Sequence, residues 1–343
     1  MSNAVNRRWL LAKHPEGLPD SSCWTLDAAP LPEPGPGQIL VKARYLSVDP
    51  YMRGRMSRRG NYAKGVAIGE VMRGGGVGEV VASRHPSWKI GDIAETMGFG
   101  WQEWSVMTPG QPGPDGVNRI DPSLAPIESA LSWLGMPGIT AYVGLIEVGR
   151  PKPGDTVIVS AASGAVGQLV GQIAKLAGCR VVAVAGSDEK LAWCRSLGFD
   201  EGINHRTAGS LPAALKAACP SGVNVFFDNT GGPIHDAVMR TLAVGARVVI
   251  CGRIALASRY EAPDVGERFL GHLIVSRATI AGFLVFDWWH RREEALARLA
   301  AWQRAGRLRY REDVLDGIER MPEAFLRLLS GENFGKQLVR MAG

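Results

Sequence analysis

The chain of 343 residues has only five cysteines, Cys23, Cys179, Cys194, Cys219 and Cys251, and no CxxC pair. An odd, scattered set in a chain of this length is not a disulfide framework, so a reducing compartment, the cytoplasm, is expected. Long apolar runs are also missing. The longest, such as residues 181–185, fall far short of the roughly 20 needed to cross a bilayer. The first fifteen residues, MSNAVNRRWLLAKHP, carry too few apolar positions after the arginines for a signal peptide. Neither a membrane span nor membrane association is expected. GxSxG, HExxH and P-loop patterns are absent, which leaves no sign of a serine-hydrolase elbow, a zincin helix or a Walker phosphate loop.

Negative charge is the scarcer sign: 33 acidic residues stand against 39 lysines and arginines, a net charge of +6. That excess attracts anions in general: nucleic acid, a membrane surface or a phosphorylated cofactor. Its densest cluster, Arg53, Arg55, Arg58, Arg59 and Lys64, lies in a glycine-containing stretch and reads as a solvated loop. No basic segment with interleaved aromatics is present, so nucleic acid is not expected as a partner.

With 46% hydrophobic and 21% charged residues the chain can bury two ordinary cores. The first 120 or so residues carry Pro and Gly at short intervals between alternating pieces such as 38–43 and 78–82, the pattern of a compact β-rich domain. From Pro151 to about Arg309 apolar strands alternate with helical segments, which specifies an α/β domain with a doubly wound parallel sheet. Strands are expected at 156–160, 180–185, 223–227, 246–251 and 279–285, with a short one at 201–203. Helices are expected at 165–177, at 188–197 capped by Ser187, at 233–242 and after Asp287. Gly178, Gly198 and Gly245 each follow a helical run, where a left-handed residue closes the last turn. A short helix at 322–330 and a strand at 337–340 that returns to the N-terminal domain complete the chain. The domains are set at residues 1–128, completed by 310–343, and residues 129–309.

The most informative stretch runs from Thr156 to Lys190. Ala161, Gly164 and Gly167 form AxxGxxG between a strand and a helix, so the backbone of Gly164, Ala165, Val166 and Gly167 can approach a pyrophosphate at a helix N-terminus. A site for the unphosphorylated dinucleotide places Asp or Glu at the end of the second strand to bind the ribose hydroxyls. Here Gly186 and Ser187 stand there, with Lys190 four residues after the glycine. The absent carboxylate removes repulsion against a 2′-phosphate and the lysine adds attraction, so NADPH is the expected cofactor. Further along, Asp228-Asn229-Thr230-Gly231-Gly232 and Cys251-Gly252-Arg253 follow strands on the edge where carboxyl-end loops line a ligand crevice, and Arg253 is a candidate phosphate contact.

With those residues laid out, the chain resembles the zinc-independent medium-chain reductases of the leukotriene B4 dehydrogenase, prostaglandin reductase and alkenal double-bond reductase type, which include curcumin reductase. The likeness rests on SVDPYMRGRMS, LGMPGITAYVGL, SGAVGQLVGQIAKLAGCRVV, FDNTGG and GENFGKQLV, five blocks in order along nearly the whole chain. It implies a GroES-like N-terminal domain beside a Rossmann domain, a homodimer built by pairing of the 279–286 strand across a two-fold axis, and NADPH-dependent reduction of a carbon-carbon double bond conjugated to a carbonyl. No metal is implied: Cys23 is the lone N-terminal-domain cysteine, and Glu70 follows Gly69 without a histidine, so neither zinc site of the zinc-dependent relatives can form.

Carried over by position, the resemblance assigns the pyrophosphate to Gly164 through Gly167 and the 2′-phosphate to Lys190. His205 stands where relatives often have a tyrosine near that phosphate. Asn229 falls on the ribose or nicotinamide side, Met136 and Thr140 beside the ring, Phe283, Leu284 and Val285 along its flank, and Asn333 on the cofactor from the C-terminal segment. After Cys251, relatives read CGxISxYN, whose tyrosine hydroxyl approaches the substrate carbonyl. This chain reads CGRIALASRYEA, with Ala257 at that position and Tyr260 three residues later. Tyr260 is therefore the candidate catalytic hydroxyl, and Tyr51 the candidate for the substrate pocket. Hydride addition to the β-carbon builds enolate charge that a donor must meet, either a tyrosine or the cofactor's ribose hydroxyl. Two alternatives stay open: an NADPH quinone reductase of the same fold, and a weakly catalytic, RNA-binding protein of the zeta-crystallin kind.

Overall fold

A computed structural model describes residues 5–58 and 62–342. Arg59 of the basic cluster lies outside the described residues. The chain divides into two compact units, one of residues 1–132, 257–261 and 312–343, the other of residues 133–256 and 262–311.

In the first unit a mostly antiparallel sheet runs in the order Glu312–Asp316, Lys336–Arg340, Ile39–Ser47, Gly76–Ser83, Ile93–Thr96, Asn118–Ile120, with Trp104–Met107 also paired to Ile39–Ser47. A separate hairpin joins Val5–Leu11 to Trp24–Pro30. The C-terminal strand returns here as expected, pairing Leu338 with Ser47 and Arg340 with Tyr45. Trp24 stacks on Trp101 with ring centroids 4.9 Å apart. Phe325 meets both rings edge-on, which places one face of the amphipathic Met321–Ser330 helix in this core.

The second unit holds a six-stranded parallel sheet ordered Glu201–Asn204, Arg180–Ala185, Thr156–Ser160, Val223–Asp228, Leu242–Ile250, Thr279–Gly282. Counted along the chain this is 3-2-1-4-5-6, with its switch point between Thr156–Ser160 and Val223–Asp228. Helices cover the faces, which explains why Val157, Ile158, Val159 and Val181 through Val184 are fully buried continuous runs rather than alternating ones. Packing on one face is close: a methyl added to Gly171 would lie 1.8 Å from Phe199 Cζ.

Four expected boundaries move. The helix after the glycine turn spans Gly167–Leu176, because residues 164–166 are spent on the turn itself. The helix expected at 233–242 is Gly232–Met239, and the next strand begins at Leu242. Gly245 is therefore not past a helix end. It sits inside that strand at φ 75°, where pairing with Val223–Asp228 shifts register between Val223 and Val225. A left-handed residue there lets the strand kink. The strand expected at 279–285 ends at Gly282, since its partner ends at Ile250 and nothing remains to pair with. Val285–Arg291 coils into a 3-10 helix that leads into the Arg292–Arg304 helix.

The basic cluster also departs from a solvated loop. Residues Tyr51–Arg55 form a helical turn, and Arg53 is 1% exposed. Its guanidinium donates to the carbonyls of Gly17 and Ala257 and lies over the Tyr260 ring, 5.1 Å from the centroid. Arg55 lies over the rings of Tyr51 and Tyr62. The two arginines are held by carbonyls and aromatic faces, leaving Arg58 and Lys64 as the exposed members described.

Candidate active site

The nucleotide end of the site forms because the Thr156–Ser160 strand must reverse into a helix within a few residues. Ala161 takes the left-handed conformation at φ 47°, and Gly164 closes the turn by donating its N–H to the Ala161 carbonyl at 2.9 Å. A methyl on Gly167 would lie 2.4 Å from that carbonyl oxygen and 2.9 Å from Ala162 Cα. Only glycine lets the helix start this close to the strand. Gly164, Ala165 and Val166 remain half-exposed at the mouth of the turn, as a backbone cradle requires.

At the next strand end, Ser187 caps its helix by accepting from the Lys190 N–H at 3.3 Å. A methyl on Gly186 would come within 3.2 Å of Arg206 Nε and 3.3 Å of His205 Nε2, so both side chains lie over this glycine. The His205 imidazole is pushed below its ordinary value, first by partial burial of the ring and then by the charges of Arg206 and Lys190. Three basic side chains thus gather where an acidic residue would bind an unphosphorylated ribose. Arg206 was not singled out from sequence; its signal was its place, directly after His205 in a carboxyl-end loop.

The third part of the candidate site is a stitched pair of loops after the Val223–Asp228 and Leu242–Ile250 strands. Asp228, fully buried, accepts from Ser160 Oγ, from Thr230 N–H and hydroxyl, and from Gly231 N–H, while its other oxygen meets His235 Nδ1 at 2.9 Å. Asn229 donates its amide to the Ser160 carbonyl at 2.7 Å. Cys251 and Gly252 donate to the Asp228 carbonyl, and a methyl on Gly252 would meet Asn229 O at 2.9 Å. Burial of the thiol pushes Cys251 up to about 12, which disfavours the thiolate. Arg253 is exposed beside Gly231.

His235, also unnoticed in the sequence, is the countercharge beneath this loop. Its bond to Asp228 raises the imidazole above its ordinary value against the opposing effect of burial. Burial alone would raise Asp228, but the His235 bond and the Thr230 and Gly231 N–H groups more than offset it and hold the carboxyl low. The histidine's contribution to stability is complete below about pH 6.5 and is lost as pH rises through its raised folded-state value. The carboxylate's is present above about pH 4 and is lost as pH falls through its lowered value. Unfolding midpoints measured against pH should therefore peak between about pH 4 and 6.5 for this pair. His235→Gln should flatten the alkaline side; an unchanged profile would remove the pair as a cause.

The remaining expected residues fall as follows. In the second unit, Met136 opens the Met136–Val143 helix and Thr140 donates its hydroxyl to the Met136 carbonyl at 2.7 Å. Phe283 turns onto Phe227 edge-on, 6.4 Å between centroids, leaving Leu284 half-buried and Val285 buried. In the first unit, Asn333 is 8% exposed and donates to the Gly335 carbonyl. Tyr51 is half-buried, and burial first, then Asp49, raises its phenol well above the ordinary value, so it stays protonated and able to donate. Tyr260 is half-buried with its ring against Arg53. Ala257 is buried, and its carbonyl is held by the same arginine.

A parallel 3-2-1-4-5-6 sheet with a glycine turn at its first strand, joined to a mostly antiparallel sheet unit, defines a two-domain medium-chain reductase. Residues 7–113 match the family model described as the N-terminal domain of oxidoreductase, and residues 165–301 that described as zinc-binding dehydrogenase. The chain is 46% identical to a putative NADP-dependent oxidoreductase, YfmJ, of Bacillus subtilis, covering 97% of this chain and 96% of that one. It is 42% identical to the NADPH-dependent curcumin reductase of Escherichia coli, covering 98% and 97%. With the NADP(+)-dependent 2-alkenal reductase of Nicotiana tabacum it shares 40%, covering 98% of both. The crystal structure of CurA from Vibrio vulnificus in complex with NADPH superposes with a TM-score of 0.91 at 40% identity, covering 98% and 99%. The chain belongs to the zinc-independent medium-chain dehydrogenase/reductase family of the prostaglandin, curcumin and 2-alkenal reductases. Zinc stands in one model's description, but among the described residues no group of three or more His, Cys, Asp or Glu could hold a metal ion. No helix among them is long and apolar enough to cross a membrane.

Proposed function

We propose that this protein uses NADPH to reduce the carbon-carbon double bond of α,β-unsaturated ketones and aldehydes. The observation that carries the reading is end-to-end similarity to reductases named for NADPH and for 2-alkenals, at 40% identity or more. Bound NADPH supplies the hydride that goes to the β-carbon of the substrate.

The chain's own residues bind, orient and stabilise. Gly164 through Gly167 present backbone N–H groups to the pyrophosphate. Lys190, His205 and Arg206, gathered around Gly186 and Ser187, meet the 2′-phosphate, and Arg253 adds charge along the crevice. Asn229, Cys251 and Gly252 hold the two loops at fixed distance for the ribose and nicotinamide side. Met136, Thr140, Phe283, Leu284, Val285 and Asn333 are assigned to the nicotinamide surroundings. Tyr51, kept protonated by burial, is assigned to the substrate pocket. Tyr260, its ring braced on Arg53, is assigned as donor to the enolate oxygen.

The test is loss of NADPH absorbance with a panel of alkenals, enones and quinones. Preferential turnover of quinones would reassign the protein to quinone reduction, and no turnover of any enone or enal would end the proposal. Tyr260→Phe separates hydroxyl from ring: kcat should fall by about a hundredfold if the hydroxyl meets the enolate. Full activity in Tyr260→Phe with loss in Tyr260→Ala would assign the ring alone.

We also place the protein in the cytoplasm as a homodimer. Four of the five free cysteines are buried thiols, as suits a reducing compartment. The Thr279–Gly282 strand ends the sheet with Ile280 41% exposed, and the neighbouring Leu270–Ser276 helix exposes Leu270, Ile274 and Val275. An apolar sheet edge of this kind suits self-pairing about a two-fold axis. A monomer mass by light scattering would exclude it.

A further inference from the structure

The basic group around Gly186 contains one member whose charge is not fixed. Lysine and arginine side chains in general carry a fixed charge near neutrality, whereas an imidazole titrates there. The missing side chain of Gly186 is what lets His205 and Arg206 lean over the strand end: Nε2 and Nε would stand 3.3 and 3.2 Å from a methyl placed there. The backbone fixes this arrangement, since the His205 N–H donates to the Ala185 carbonyl at 3.1 Å and the Lys190 N–H to the Ser187 cap. The charges acting on the ring are Arg206 on its own turn and Lys190 on the helix opposite. Of the acids on that helix, Asp188 accepts from the Asn204 amide at 2.9 Å and Glu189 is exposed.

Partial burial of the ring and the charges of both neighbours oppose a proton on the imidazole. A 2′-phosphate brings about 1.5 to 2 negative charges into the same group, reversing the sign of the local potential. A protonated imidazole then gains an opposite charge and a second N–H donor.

We propose that His205 takes up a proton from solvent when the phosphorylated cofactor binds, making it, with Lys190 and Arg206, a specificity-determining group for the 2′-phosphate. The inference rests on the assignment of this group to the 2′-phosphate. The proton balance has one opposing flow, because two cations also favour the fully ionised phosphate, whose second ionisation near pH 6 releases a fraction of a proton. His205 accounts for uptake; the phosphate accounts for release.

The experiment is calorimetric titration of the purified protein with NADP+ and with NAD+ at about pH 7, in buffers of different ionisation enthalpy. Wild type should take up a substantial fraction of one proton per NADP+ bound. His205→Gln, in an exposed position, should show none or slight release, and weaker NADP+ binding. NADP+ affinity of wild type should fall with rising pH by at most about tenfold per pH unit, a slope that His205→Gln flattens. The His205 ring resonances followed by NMR should titrate at higher pH with NADP+ bound. Preferential NADP+ binding with equal proton uptake in wild type and His205→Gln, or an unmoved His205 titration, overturns the proposal alone. Equal binding of NADP+ and NAD+ overturns the phosphate assignment together with it.

Discussion

Lys336→Met should lower the stability of the protein by about 3–5 kcal/mol, a fall in unfolding midpoint on the order of 10 °C. Lys336 is 1% exposed in the C-terminal strand, and its ammonium donates to Asp49 Oδ1 and to the Val48 carbonyl, both at 2.7 Å. Ser47 donates its hydroxyl to the other Asp49 oxygen. Burial lowers the lysine's pKa, and Asp49 opposes that shift. Methionine would fill the volume but leave Asp49, 5% exposed, with an uncompensated charge. Adding Asp49→Asn to the same protein should recover most of the loss, because the cost lies in the orphaned carboxylate. Thermal unfolding of the single and double variants checks this; a single variant as stable as wild type would show that the pair is not needed. The effect should reach the Tyr51 turn too, since the main-chain carbonyl of the same Asp49 accepts the Met52 N–H where that turn starts.

Gly167→Ala should weaken NADPH binding by about ten- to a hundredfold. The added methyl meets two backbone atoms, Ala161 O at 2.4 Å and Ala162 Cα at 2.9 Å, neither of which can swing aside as a side chain would. Overpacking of this kind costs about 1–3 kcal/mol, and 1.4 kcal/mol is tenfold in affinity. The turn already holds Ala161 in the left-handed region, so relief must come from displacing the helix start proposed to face the pyrophosphate. Fluorescence titration with NADPH measures it, and an affinity equal to that of wild type would mean the glycine serves only the turn. Gly164→Ala is the milder comparison, because a methyl there meets only Ala161 O, at 3.1 Å.

Much of the nucleotide unit was legible because its signals are local. A strand, a glycine turn and a capped helix follow within 35 residues, and Ser187 caps its helix as its sequence position implied. Boundaries failed where a distant partner decided them: the edge strand stops at Gly282 because its neighbour stops at Ile250, and Gly245 bends a strand rather than ending a helix. Arg53 reads as one more surface cation in RGRMSRR, yet it is buried, because Gly17 and Ala257, 36 and 204 residues away, supply its acceptors.

The amino-acid sequence by itself determined the α/β class, the glycine turn, the missing carboxylate after the second strand and the family blocks, since each depends on residues close together in the chain. Tertiary structure decided that the Arg206 and His205 side chains both lie over Gly186 with the charge of Lys190 acting on the same imidazole, that His235 underlies Asp228, and that Lys336 neutralises Asp49. Those pairings are set by which strand ends become neighbours and which charges burial leaves without water. Adjacency along the chain put Arg206 beside His205, but it did not show that both side chains turn over Gly186.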